Sequence, residues 1–257
     1  MLNRIVSIAK NAFREAVRDR VLYNLVLFVL LLIAAGVMLG DLTDGHQVRT
    51  IVNMGLNAML LFGVFIAIFV GIGLVSKEIE KRTVFAIFAK PVARHEFMIG
   101  KYLGLCLTLA VNTIVMGIGV SIALLIAGGS GFALTIWGTV LLIFLELTVI
   151  TAVAIMFSSF SSPALSALLT FLVFVIGHFS ASLRDLAENI GSDAARIFFG
   201  GIYYLLPNLS HFTFVTNAAY GQVPPASMML GAAAYALLLN TILIGITVLI
   251  FSRRNFK

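Results

Sequence analysis

The sequence predicts an all-α integral membrane protein with six transmembrane helices, and three observations carry that prediction. Hydrophobic residues make up 61% of the 257-residue chain and charged residues 11%, with a mean hydropathy of +1.09, far from the balance of a soluble domain. The apolar residues gather into runs of about 20, the length a helix needs to cross about 30 Å of hydrocarbon. The charged residues collect between those runs. A single transmembrane domain over 1–257 accounts for the chain, because the connections are too short to hold a separate catalytic domain.

The runs are Val21–Leu39, Ile51–Val75, Tyr102–Ala127, Ala133–Phe157, Pro163–Phe179 and Met228–Phe251. The fifth is short, and a tilt, a break or partial insertion would each accommodate it. An even number of spans puts both termini on one side. Basic residues choose the side: Arg4, Lys10, Arg14, Arg18 and Arg20 precede the first run, six of the 17 Lys and Arg fall within 77–101, and Arg253, Arg254 and Lys257 end the chain. The opposite side receives Arg49, Arg184 and Arg196, outnumbered by Asp41, Asp44, Asp185, Glu188 and Asp193. The expectation is a multi-pass protein of the cell inner (cytoplasmic) membrane with both termini cytoplasmic. That placement also explains the net charge of +6, so no nucleic-acid partner is expected.

Residues 1–20 form an expected interfacial helix rather than a signal peptide, since the run that follows is a full span. Leu2, Ile5, Val6, Ala9, Ala12, Phe13, Ala16 and Val17 recur at helical spacing, while Arg4, Ser7, Asn11, Arg14 and Arg18 take the other face. Such a helix anchors at the membrane surface, contacts a cytoplasmic partner, or does both.

Residues 77–101 read as a helical hairpin projecting from the membrane. Thr83 suits an N-cap, and Pro91 keeps Lys90 out of helical geometry, so one helix stops there and another starts near Ala93. Val84, Phe85, Ile87 and Phe88 lie beside Lys81, Arg82, Lys90 and Arg94, an apolar knob in a charged rim. That composition suits a protein interface; folding of the phenylalanines onto the membrane surface is the alternative.

The order Glu80, Thr83, Lys90-Pro91-Val92-Ala93-Arg94, Gly100-Lys101 and Gly104 resembles the cytoplasmic loop of ABC-2 type transporter permeases, the membrane subunits of ATP-driven exporters. The resemblance extends over the whole chain, although Arg82 stands where glycine is common and Ala93 where serine is common. It implies that Thr83–Glu96 is a coupling helix seated on a separate ATP-binding cassette subunit, with Thr83, Val84, Phe85, Ile87, Phe88, Lys90, Pro91, Arg94 and Glu96 in contact. It also implies a homodimer, unless a second permease pairs with this one. ATP and Mg would bind the partner subunit, with no cofactor in this chain.

The residues agree that the chain is not its own motor. Gly100-Lys101 is preceded by His95 where a P-loop needs glycine and followed by Tyr102 where it needs Ser or Thr. His95-Glu96 starts a zinc-protease motif, but position 99 is Ile. His46, His178 and His211 are scattered in sequence without a ligand set, and the single cysteine, Cys106, excludes an intrachain disulfide. No catalytic residue and no metal site are expected.

Within the spans Glu146 is the costliest residue, a carboxylate near the middle of span four, where a charge is unfavourable by about 2.5–3.5 kcal/mol. It must face the interior, pair or be protonated; it serves either the transport route or a structural hydrogen bond. Asn240 lies at matching depth in span six, Asn112 in span three, and Asn53 and Asn57 share a face of span two. Gly100 and Gly104, Gly117 and Gly119, and Ser162 to Ala167 mark expected close helix approaches.

Residues 179–227 are too polar to be a lipid-exposed span and are expected as an external helical excursion. Leu183, Leu186, Ile190, Ala194 and Ile197 give it an apolar face, interrupted near Gly191, and Phe198, Phe199, Tyr203 and Tyr204 follow. The aromatic cluster is an interfacial belt, an exit gate or a dock for an external partner; membrane lipid is expected around the whole chain. Three functions fit: the permease of an ATP-driven exporter, a secondary transporter, and a mechanotransmission subunit acting on an outside partner.

Overall fold

The computed structural model describes residues 2–17, 27–28, 31, 46–80, 93–180 and 193–253. Most of the predicted first span, the hairpin tip 81–92 and the excursion segment 181–192 lie outside the described residues. Phe28, from that first span, is buried and meets Phe62 edge-on with centroids 5.8 Å apart.

The described elements are all helical, in the order α1 (Leu2–Ala16), α2 (Gln47–Glu80), α3 (Arg94–Ile126), α4 (Ser130–Ser158), α5 (Pro163–His178), α6 (Asp193–Leu205), a 3-10 turn (Leu209–Phe212), α7 (Val215–Ala219) and α8 (Ala226–Arg253). Four of them, α2, α3, α4 and α8, are long and apolar enough to cross a membrane. At 16 residues, α5 reaches only about 24 Å and falls short of a full crossing.

Helix α4 is the axis of the bundle. Of its most apolar window 72% is buried, against 22% for α8, and it packs against α2, α3, α5 and α8. Its sequence suits that position, being apolar on every face rather than on one. The exposed residues of α3 (Leu103, Leu107, Val111, Ile114, Ile118, Ile122) and α8 (Leu230, Leu237, Leu238, Ile242, Leu249) are large and aliphatic, as a lipid-facing surface requires. Close contact between α2 and α4 rests on Gly63, where a Cβ would come within 2.4 Å of Leu147.

Local chemistry sets the breaks. Helix α3 ends at Gly128, whose φ of +78° suits glycine, and Gly129 N–H donates to Leu124 O at 2.8 Å across the end, a Schellman-type closure. Helix α5 starts with Pro163 in its first turn after an extended Ser162. Ahead of α8, Pro224 and Pro225 interrupt helical structure.

The amphipathic helix α1 is present over Leu2–Ala16, and its main packing partner is the N-terminal part of α3. Gly100 and Gly104 make that approach. A Cβ at Gly100 would lie 2.7 Å from Ile8 Cβ, and one at Gly104 would lie 2.5 Å from the backbone oxygen of Ala9. Ala12 and Ala16 are wholly buried in this contact, whereas Val6, on the same predicted face, is 58% exposed. The helix therefore divides its apolar face between α3 and the surroundings.

Part of the expected external excursion is enclosed by the bundle. Residues 207–220 pack into the bundle, with Leu209, Phe212, Phe214, Val215, Ala218 and Ala219 buried in the same core as α2 and α4. Gly177 lets the chain pass, since a Cβ there would meet Pro207 O at 2.6 Å. Asn208 fixes the turn: its side-chain oxygen accepts from Ser180 Oγ at 2.5 Å and Ser210 N at 3.1 Å, while its backbone N–H donates to Tyr235 OH at 2.8 Å. A polar loop can enter an apolar bundle only with its backbone and side-chain groups satisfied in this way.

Replacing Gly104 by Ala should loosen α1 from α3, because the Cβ would strike a backbone carbonyl that cannot rotate aside. A destabilisation of about 1–3 kcal/mol is expected, with faster protease cleavage near the N-terminus. Unchanged melting and protease resistance would contradict the close-approach assignment.

Candidate functional site

Two places hold the polar chemistry of the bundle. One is the end where α1, the start of α3 and the end of α8 meet. The other is a cavity against the middle of α4.

At the first, Ala93 caps α3 with extended backbone (φ −75°, ψ 148°). Its methyl side chain has no oxygen to accept from the helix, but the Glu96 carboxylate reaches back and accepts the Ala93 N–H at 3.0 Å, half of a capping box. Glu96 is 4% exposed and also lies 3.8 Å from the Arg4 guanidinium on α1. Arg94 donates to the carbonyls of Phe251 at 3.0 Å and Ser252 at 2.7 Å, at the C-terminal end of α8. That end carries the negative pole of the helix dipole, so a guanidinium is well placed there.

One turn along, the Lys101 ammonium is 2% exposed and 3.3 Å from Glu15. Phe97 stacks near-parallel on Phe251, with centroids 6.2 Å apart. Ala12, Ala16, Phe97, Met98, Leu105, Ile155 and Phe251 close a small apolar core beneath these contacts. The result is one unit in which α3 is tied to α1 by a glycine contact and two ion pairs, and to α8 by two hydrogen bonds and a ring stack. Of the residues predicted for partner contact, Arg94 and Glu96 belong to this unit, while Thr83, Val84, Phe85, Ile87, Phe88, Lys90 and Pro91 lie outside the described residues.

The second place is built around Glu146, which is 1% exposed and sits about 24 Å along α4 from its N-terminal end. Helix α5 runs back beside α4, so its last residue, His178, arrives at the same level, and His178 Nδ1 lies 3.4 Å from Glu146 Oε1. That is an ion-pair distance, yet neither atom makes a hydrogen bond in the described residues. Both border a cavity of about 150 Å³ whose wall also includes Asn57, Leu60, Ile143, Phe212, Thr213, Val215 and Thr216. The inward-packed excursion thus supplies one side of the cavity, α2 another, and α4 with α5 the rest.

The Glu146–His178 contact corrects the expectation that the histidines are isolated from carboxylates. Thirty-two positions separate the two residues in sequence, and the reversal of the chain between α4 and α5 brings them together. Asn240, matched to Glu146 in depth, instead donates to Thr148 Oγ1 at 3.0 Å, on another side of α4. Asn112 is buried and donates to Thr108 O of its own helix at 2.9 Å. Asn57 and Asn53 do share a face, and the Asn57 amide donates to Asn53 Oδ1 at 2.6 Å.

Asn53 continues the polar surface toward the start of α2. It borders a second, open cavity of about 320 Å³ with His46, Arg49, Thr50 and Met54, and the Arg49 guanidinium stacks 3.4 Å from the centre of the Tyr220 ring. In the other direction the surface turns aromatic. Phe174 lies 5.6 Å from His178, Phe171 6.3 Å from Phe174, Phe65 6.5 Å from Phe171 and Phe69 6.2 Å from Phe65, centroid to centroid. A polar track and an aromatic track therefore meet at Glu146.

Long apolar helices around a buried carboxylate, with an amphipathic helix locked to one end, define a multi-pass membrane protein. The profile of the ABC-2 family transporter proteins matches residues 6–254, almost the full chain, and the chain belongs to that family as a transporter permease. No curated protein matches the chain.

A double-mutant cycle checks the pairing within the bundle. Glu146→Gln and His178→Gln should be non-additive in thermal stability by about 0.5–3 kcal/mol, whereas Glu146→Gln and Asn240→Leu should add. Additivity in the first cycle, or strong coupling in the second, would contradict the observed contacts.

Proposed function

We propose that this permease moves its substrate across the cell inner membrane with energy from ATP hydrolysed on a separate ATP-binding cassette subunit, and that Thr83–Glu96 docks on that subunit. ATP and Mg would then reside in the partner, leaving this chain non-catalytic. The observation that supports the reading best is the rigid unit around Arg94, Glu96 and Lys101. Force delivered to residues immediately ahead of Arg94 would pass directly into α3, and through it into α1 and α8. The basic residues in and around that unit support a cytoplasmic placement for it.

Family membership does not favour a secondary transporter. The energetic logic points the same way, because Glu146, buried midway along α4, stands beside one histidine and not within the chain of ionisable groups a proton relay requires.

We further propose that two copies pack through the faces of α2 and α5. Asn53 and Asn57 are exposed on α2 in line with Leu61, Phe65 and Phe69. Asparagines on a face at membrane depth are costly against lipid, so protein or a watered route between two copies is the better neighbour. With Cys106 replaced by Ala, Phe69→Cys should give a disulfide-linked dimer under mild oxidation, while Leu237→Cys on α8 should not. The reverse pattern would reject this face.

The docking proposal is tested by co-purification. Phe85→Glu with Phe88→Glu should lower recovery of the ATPase subunit at least tenfold while the permease keeps its melting profile. Retained complex formation would count against the assignment of 83–96 as the dock.

A further inference from the structure

The cavity at Glu146 has the chemistry of a binding site rather than a packing defect. Its wall carries acceptor oxygen on Glu146, whose Oε1 has His178 Nδ1 at 3.4 Å and no other partner among the described residues. With the Asn57 amide nitrogen donated to Asn53, its side-chain oxygen adds a second acceptor, and the hydroxyls of Thr213 and Thr216 add more. No Lys or Arg lines it. With Glu146 ionised, its charge is negative when His178 is neutral and zero when His178 is protonated, so the ionised site offers an anion no net positive charge.

The volume of about 150 Å³ equals roughly five waters' share of liquid volume. That suits a small polar head and not a sugar or a nucleotide. The aromatic track starts at this cavity and leads away from it along α5 and α2, with Phe65, Phe69 and Phe171 all more than a third exposed. A polar head site with a strip of phenylalanines running from its His178 wall is matched by a molecule with a small head and an apolar chain.

We propose that the Glu146–His178 cavity and the phenylalanine track beside it form a binding site for a single-chain amphiphile with a primary ammonium head. Such a head brings three N–H donors to Glu146 Oε1, the Asn57 oxygen and a threonine hydroxyl. Charge-assisted hydrogen bonds to a desolvated carboxylate are about twice as strong as neutral ones, and neighbouring aromatic faces add cation–π attraction. The apolar chain lies along Phe174, Phe171, Phe65 and Phe69. An ethanolamine phospholipid offers the same amine, but its phosphate would lie next to Glu146 with no cation to meet it, so the site favours the amine without phosphate. This assignment rests on the permease reading and names the substrate class for it.

The test uses the full-length permease in zwitterionic phosphatidylcholine nanodiscs without any ATPase, with radiolabelled dodecylamine as probe and empty nanodiscs as background. Unlabelled dodecylamine should displace the probe at least tenfold better than dodecyl sulfate or a short-chain phosphatidylethanolamine. Glu146→Gln should weaken probe binding at least tenfold, and Glu146→Asp should retain the preference for amine over sulfate. Equal displacement by sulfate, equal displacement by the ethanolamine lipid, or undiminished binding to Glu146→Gln would each overturn the proposal. The wild-type competition decides the matter even if the Gln variant fails to fold. Because no ATPase is present, failure here leaves the docking experiment on Phe85 and Phe88 to judge the permease reading separately.

Discussion

Hydrocarbon offers a polar group nothing to bond with, and the arrangement of this bundle follows from that. Backbone groups are satisfied inside helices, so the long elements are helical throughout, and side-chain hydroxyls on α3 and α4 turn back to their own carbonyls, as Thr108, Thr113 and Thr151 do. Glu146 has no such local solution. Its carboxylate is carried to the interior by α4, the most enclosed of the long helices, and meets His178, which α5 carries back to the same level. The packed segment 207–220 is the counterpart of that short helix, filling the space α5 leaves and closing the cavity.

The same constraint explains how the basic end is built. Lys101 and Glu96 are almost fully buried, and groups of that kind persist in a fold only when paired. Glu15 and Arg4 on α1 meet them, which makes the amphipathic helix part of the fold and not merely an anchor at its surface. Gly100 and Gly104 bring α1 close enough for those contacts. Arg94 adds the end of α8. A permease driven from one end needs stiff transmission at that end, and this cluster gives stiffness from contacts that are individually ordinary.

Legibility in the sequence varied with how local the cause was. Hydropathy located the spans described here, including the shortness of the fifth, because membrane thickness acts on each run separately. Helix ends at Gly128 and Pro163, the amphipathic α1 and the Asn53–Asn57 pair depend on neighbours within a few residues. The Gly100 and Gly104 spacing announced a close approach without saying what approaches. Depth matching proposed Asn240 for Glu146, but depth is one coordinate of two: Asn240 faces Thr148 around the α4 axis. His178 escaped notice because nothing between positions 146 and 178 indicates which side of α5 turns toward Glu146.

The amino-acid sequence by itself determined that this is a helical membrane protein, where its long described helices lie, and which family it belongs to, since all three are written in runs and motifs a few tens of residues long. Tertiary structure alone decided which polar groups meet. The Glu146–His178 contact, the inward fold of 207–220 and the tying of α1 to α3 and α8 all depend on the azimuth of each helix about its axis. Azimuth is set by the packing of every neighbour at once, through contacts such as Leu147 against Gly63 and Ala9 against Gly104, and no single segment carries it.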